Sequence, residues 1–129
     1  MIVGVLKEIK TEENRVCMTP AGVEVMRQNG HTVLVENNAG MGSGFNNRDY
    51  ADAGAEIVDT AEEIFKRSKM VMHVKEPLPP EYKLIRKDQI IFTYLHLAAA
   101  EDLTNVLVKS GSVSIAYETK KSDGSLPLL

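Results

Sequence analysis

The chain has 129 residues, enough for one domain with a real core, and its 43% apolar and 26% charged side chains are those of an ordinary soluble globular protein. Fifteen basic against 18 acidic residues leave a formal charge of −3, with no Lys/Arg cluster interleaved with aromatics, which argues against nucleic acid as a partner. Cys17 stands alone, so no internal disulfide forms, and the apolar start "IVGVL" is too short for a signal segment or a membrane span; a cytoplasmic location is expected.

In chain order, residues 2–6 read as a strand that is apolar nearly throughout, as strands buried on both faces are. The long loop "KEIKTEENRVCMT" follows and carries Arg15. Thr19 is a good N-cap with Pro20 at the first helical position, and Val23, Met26 and Gly30 give a buried stripe and a stop. His31 is a turn residue, and 32–36 is the next strand. The stretch "NNAGMGSGF" spaces Gly40, Gly42 and Gly44 as G-x-G-x-G, but Phe45 stands where a dinucleotide fingerprint needs its third glycine. No Gly-Lys-Ser/Thr follows, so a flexible loop whose glycines serve turns is expected. Residues 55–58 are a weaker strand candidate. "TAEE" at 60–63 has the spacing of a capping box, with Glu63 placed to reach back to Thr60.

The strand expected over 70–74 contains His73, as packing or at an exposed edge, and delivers Lys75. The strand over 90–95 delivers His96. Leu103, Val106 and Leu107 form the apolar face of a helix closing near Gly111, and a strand over 112–118 ends in Tyr117 and Glu118. The tail "KKSDGSLPLL" is a turn and an apolar end, and a chain that stops there looks cut. The joints "QNGHTV", "DAGAEI" and "KSGSVS" each put a glycine just past a helix, where the left-handed conformation turns the chain into the next strand. This alternation predicts an α/β fold: a doubly wound, mainly parallel sheet with flanking helices, Rossmann-like but without the dinucleotide fingerprint.

In such sheets ligands bind outside the carboxyl ends of the strands. Arg15, Lys75, His96 and the Tyr117–Glu118 pair all fall there. Arginine grips a carboxylate with two parallel hydrogen bonds, lysine offers a point charge to a carbonyl, and histidine exchanges protons near neutrality. Together they suit a small α-keto or α-amino acid. Singly, Arg15 and Lys75 read equally as solvated charges and His96 as a structural histidine. No Cys/His set has metal-ligand spacing and no Gly-x-Ser-x-Gly elbow occurs.

"GVLKEIKTEENRVCMTPAGVEVMRQNGHTVLVE" resembles the N-terminal signature shared by alanine dehydrogenases and the α subunit of nicotinamide nucleotide transhydrogenases. "NAGMGSGF", "AGAEIV", "MVMHVKEPLPPEY", "FTYLHLAAAEDL" and "IAYET…LPLL" continue the likeness over essentially the whole chain. Departures are Leu6, Cys17 and Met26, where the family usually has proline, alanine and leucine. "VKEP" and "YLHLAA" favour the dehydrogenase side, because transhydrogenase subunits lack this lysine and histidine. The resemblance implies reversible oxidative deamination: L-alanine, NAD and water give pyruvate, ammonium and NADH, in a homohexamer. It implies that Arg15 and Lys75 hold the substrate carboxylate and carbonyl region, with His96 as acid/base. It also implies that residues 1–129 are the N-terminal part of a substrate domain, with the NAD-binding domain beyond. Two other readings compete. A transhydrogenase-type domain is one. A flavodoxin-like signalling module is the other, but Lys7-Glu8 follows the first strand where a phospho-receiver needs an acidic pair. A Schiff base between Lys75 and a keto acid is a further chemistry, which hydride transfer does not require.

Overall fold

Val3, Gly4, Val5 and Leu6 are all buried, so the first strand has neighbours on both faces and cannot lie at a solvated edge. The computed structural model describes residues 1–119 and 121–129, and places this strand, β1 (Ile2–Val5), inside an all-parallel sheet. The chain continues through α1 (Pro20–Gln28), β2 (Thr32–Glu36), α2 (Asn47–Asp52), β3 (Glu56–Val58) and α3 (Ala61–Arg67). It then runs through β4 (Met70–Met72), α4 (Pro79–Tyr82), β5 (Ile90–Thr93), α5 (Glu101–Ser110) and β6 (Val113–Ala116). The strand order is β3-β2-β1-β4-β5-β6. Strand order reverses between β1 and β4, which opens a crevice at their carboxyl ends.

Side chains alternate across this sheet and build two cores. Val3, Val5, Val33 and Val35 face α1 and α2 and pack with Val23 and Tyr50. Leu6, Leu34, Val71 and Ile91 face the other way, onto Ile64 and Phe65 of α3 and Leu103 and Leu107 of α5. Thr19 caps α1 by accepting the Gly22 N–H at 3.2 Å. Gly30, Gly54 and Gly111 have φ of 83°, 100° and 68°, the left-handed turns expected at the helix-to-strand joints.

Several boundaries differ from expectation, and the cause is shared. The strands expected over 2–6, 70–74 and 90–95 stop at Val5, Met72 and Thr93. Beyond those points backbone N–H groups leave the ladder and donate to glutamates instead: Lys7 to Glu36, Val74 and Lys75 to Glu8, Leu95 and His96 to Glu118. The strands expected over 55–58 and 112–118 contract to Glu56–Val58 and Val113–Ala116. At α3 the capping box is half formed. Thr60 Oγ1 accepts the Glu63 N–H at 3.3 Å, but Glu63 turns to Arg67 at 3.1 Å, one turn on. The reciprocal box occurs at α2, between Asn46 and Asp49. The glycine-rich stretch forms a short 3-10 turn (Met41–Ser43), and its glycines do more than turn. A Cβ on Gly40 would sit 2.6 Å from the Tyr50 ring, and one on Gly42 2.9 Å from the Asn14 carbonyl oxygen. This loop is packed down onto its neighbours.

Candidate active site

The exit of β4 is held from three sides. Glu8, in the loop after β1, has its side chain 3% exposed, and its two oxygens accept the N–H groups of Val74 at 2.6 Å and Lys75 at 3.2 Å. The buried Thr93 hydroxyl, at the end of β5, donates to the Lys75 carbonyl at 2.8 Å. The Lys75 peptide is therefore tied on both its donor and acceptor sides. The Lys75 ammonium itself makes no ion pair among the described residues.

His73 is neither exposed nor simple packing. It is 1% exposed, with Nδ1 3.5 Å from Glu8 and Nε2 3.1 Å from Glu81 of α4. Burial works against a charged imidazole here, but the two carboxylates outweigh it and raise its pKa to about 9. The two carboxyl groups that flank the buried ring thus favour its charged form.

The exit of β5 repeats the arrangement. Glu118, two residues beyond β6, accepts the N–H groups of Leu95 at 2.9 Å and His96 at 2.8 Å on one oxygen, Oε1. Its Oε2 is buried and has no hydrogen-bond partner among the described residues. Burial opposes its charge, but those N–H donors outweigh it and hold the carboxyl below the usual carboxylate range. His96 takes a left-handed backbone, φ 50° and ψ 40°, uncommon for a residue with a side chain and typical of functional turns. Its exposed ring stacks on Tyr94 with centroids 6.1 Å apart and planes 14° from parallel. Tyr94 in turn meets Tyr117 at 4.9 Å.

Arg15 is exposed, and its guanidinium forks onto Glu13, with Nε and Nη2 at 2.8 and 2.7 Å from the two carboxylate oxygens. The hydrogen bonds from Arg15, aided by the charge of Lys75, pull the Glu13 carboxyl down to about 2. Lys75 thus lies within electrostatic reach of the Arg15–Glu13 pair. A cavity of about 360 Å³ opens beside them, lined by Arg15, Val16, Cys17, Phe45, Val74 and Tyr94 among others. Lys75 and His96 do not line this cavity; Val74, just before Lys75, and Tyr94, two residues before His96, do. Burial pushes the Cys17 thiol far up, out of the range of a nucleophile.

Arg15, Lys75 and His96 thus follow β1, β4 and β5 on the carboxyl edge of one parallel sheet, Arg15 from the long loop after β1. Side chains of these types can hold an anionic group beside a carbonyl and exchange protons with it. The crevice does not form a dinucleotide cradle. α1 starts on Pro20, which has no N–H, and the Gly22 N–H is taken by Thr19. Gly40 and Gly42 pack against Tyr50 and Asn14, and the N–H groups of Ser43, Gly44 and Phe45 are taken by carbonyls within the loop. The sequence named Arg15, Lys75 and His96 as candidates but gave no sign of the side chains that hold the backbone beside them. Glu8 and Glu13 lie in the loop after β1, and their partners become visible only once the chain is folded.

Residues 4–129 match the family model "Alanine dehydrogenase/PNT, N-terminal domain". The chain is 54% identical to the alanine dehydrogenase of Bacillus subtilis (strain 168) over 129 residues, all of this chain and 34% of that protein. It superposes on a solved L-alanine dehydrogenase with TM-score 0.94 and 51% identity, covering 98% of this chain and 35% of that one. A transhydrogenase from Sinorhizobium meliloti gives TM-score 0.85 at 24% identity, over 92% of this chain and 35% of that one, a likeness of fold alone. The chain spans about a third of the length of the curated relatives it matches.

Proposed function

The chain belongs to the alanine dehydrogenase/PNT N-terminal domain family, and from that membership we propose that it supplies the substrate half-site of an L-alanine dehydrogenase. The reaction is the reversible oxidative deamination of L-alanine to pyruvate and ammonium, with NAD as the electron acceptor. What supports this reading is that Arg15, Lys75 and His96 follow β1, β4 and β5 at the carboxyl edge of one parallel sheet, in a chain about half identical to alanine dehydrogenases. Arg15 takes the substrate carboxylate with its planar fork, exchanging its present partner Glu13 for the ligand. Lys75 sets a positive charge against the carbonyl or carbinol oxygen, stabilising negative charge as it develops. His96 accepts the proton that frees the amine and manages those released as water adds and ammonia leaves.

NAD is held by chain outside residues 1–129, since the residues here give no cradle for it. Assembly as a homohexamer and a cytoplasmic location belong to the same proposal; among the described residues no helix is long and apolar enough to cross a membrane. The test is steady-state kinetics of the complete protein with L-alanine and NAD, with His96→Gln as the variant. Glutamine keeps shape and hydrogen bonding but cannot cycle a proton. It lowers kcat by about 10²–10⁴-fold and removes one limb of the pH–rate profile. Near-normal kcat with an unaltered profile means that His96 is structural and another group moves the proton.

A further inference from the structure

The two candidate reactive residues are mounted in the same way. Each follows a strand whose neighbour sends back a glutamate, and that glutamate takes two consecutive backbone N–H groups: 74 and 75 on Glu8, 95 and 96 on Glu118. The strand pairs are β1/β4 and β5/β6, both parallel neighbours. A carboxylate placed so is held by charge-assisted hydrogen bonds, roughly twice as strong as neutral ones, and fixes the peptide plane from which the side chain departs. We propose that Glu8 is the positioning residue for Lys75 and Glu118 the positioning residue for His96, two carboxylate mounts that aim the cationic and proton-carrying groups into the crevice. The proposal rests on the substrate-site reading above and assigns the residues that make it geometrically possible.

The mounts differ in one respect, which gives them separable signatures. Glu8 uses both oxygens, one for each N–H. Glu8→Gln must therefore turn its amide NH₂ toward one backbone N–H, a donor against a donor. Glu8 also faces the His73 imidazole, so the neutral variant leaves that buried ring with one carboxylate instead of two. Glu118 uses Oε1 for both N–H groups, and Oε2 has no partner among the described residues. Glu118→Gln can keep its carbonyl oxygen on both, and only Glu118→Ala removes the mount.

The test measures reductive amination of pyruvate, with ammonium and NADH, by the complete enzyme. Glu8→Gln is expected to raise KM for pyruvate by about tenfold or more, as loss of a correctly placed charged partner does. In a Lys75→Ala background the same change raises KM for pyruvate no further, because the effect of Glu8 on pyruvate binding runs through Lys75. Glu118→Ala lowers kcat by about tenfold or more with KM for pyruvate little changed, and Glu118→Gln restores most of it. If Glu8→Gln fails to fold, Thr93→Val carries the same test: it keeps the buried volume, releases the Lys75 carbonyl and raises KM. An unchanged KM in whichever of these variants folds, losses that multiply in the double variant, or equal losses for Glu118→Gln and Glu118→Ala overturn the positioning roles. A wild type that turns over neither alanine nor pyruvate overturns the proposed function itself, and with it the roles given to Lys75 and His96.

Discussion

Arg15 shows how much a single side chain's partner matters. Its fork is closed on Glu13, whose carboxyl has the planar, two-oxygen geometry of the proposed ligand. Under the proposed function, substrate binding exchanges one carboxylate for another, and a guanidinium is suited to it because both partners fit two parallel N–H donors. An ammonium keeps the charge and loses the fork. Arg15→Lys in the complete enzyme should weaken pyruvate binding by about 1.5–3 kcal/mol, the range for hydrogen bonds to charged groups. Inhibition constants measured with pyruvate analogues check this, and an unchanged affinity would leave Arg15 as a surface charge paired with Glu13.

At the scale of elements, the rhythm of strand and helix was legible because burial imposes it. Strands covered on both faces must be apolar throughout, and the joints needed glycine because φ near +80° strains any residue with a Cβ. Where the strands end was not legible. Nothing local in "MVMHV" or "IIFTYL" ends the strand; Glu8 and Glu118, 66 and 23 residues away, take the N–H groups of Val74 and Leu95 just beyond it. The same distance hid His73, whose partners Glu8 and Glu81 come from separate loops and helices. Close approach was equally invisible. Gly4 of β1 lies where a Cβ would meet Ser68 Oγ at 2.4 Å and Ile64 Cγ2 at 2.5 Å, so α3 can seat on the sheet only over a bare backbone. Gly4→Ala should destabilise the fold by about 1–3 kcal/mol, the usual cost of overpacking a tight core. Denaturant midpoints of the two proteins decide it; equal midpoints would mean that α3 moves away freely.

The whole molecule divides labour between what these residues hold and what they do not. Its sheet carries the α/β doubly wound order with the crevice at the reversal, yet the first turn after β1 carries acidic and basic side chains in place of a glycine cradle. The account therefore assigns the keto acid to this chain and the dinucleotide elsewhere. Lys75 is the residue that separates the two duties, since its backbone is fixed from both sides while its ammonium has no ion-pair partner among the described residues. The direct measurement is calorimetric titration of complete Lys75→Ala protein, first with NADH and then with pyruvate in the presence of NADH. The account predicts NADH affinity equal to wild type and pyruvate affinity weaker by about 10- to 100-fold. Intact pyruvate binding with weakened NADH binding would contradict it.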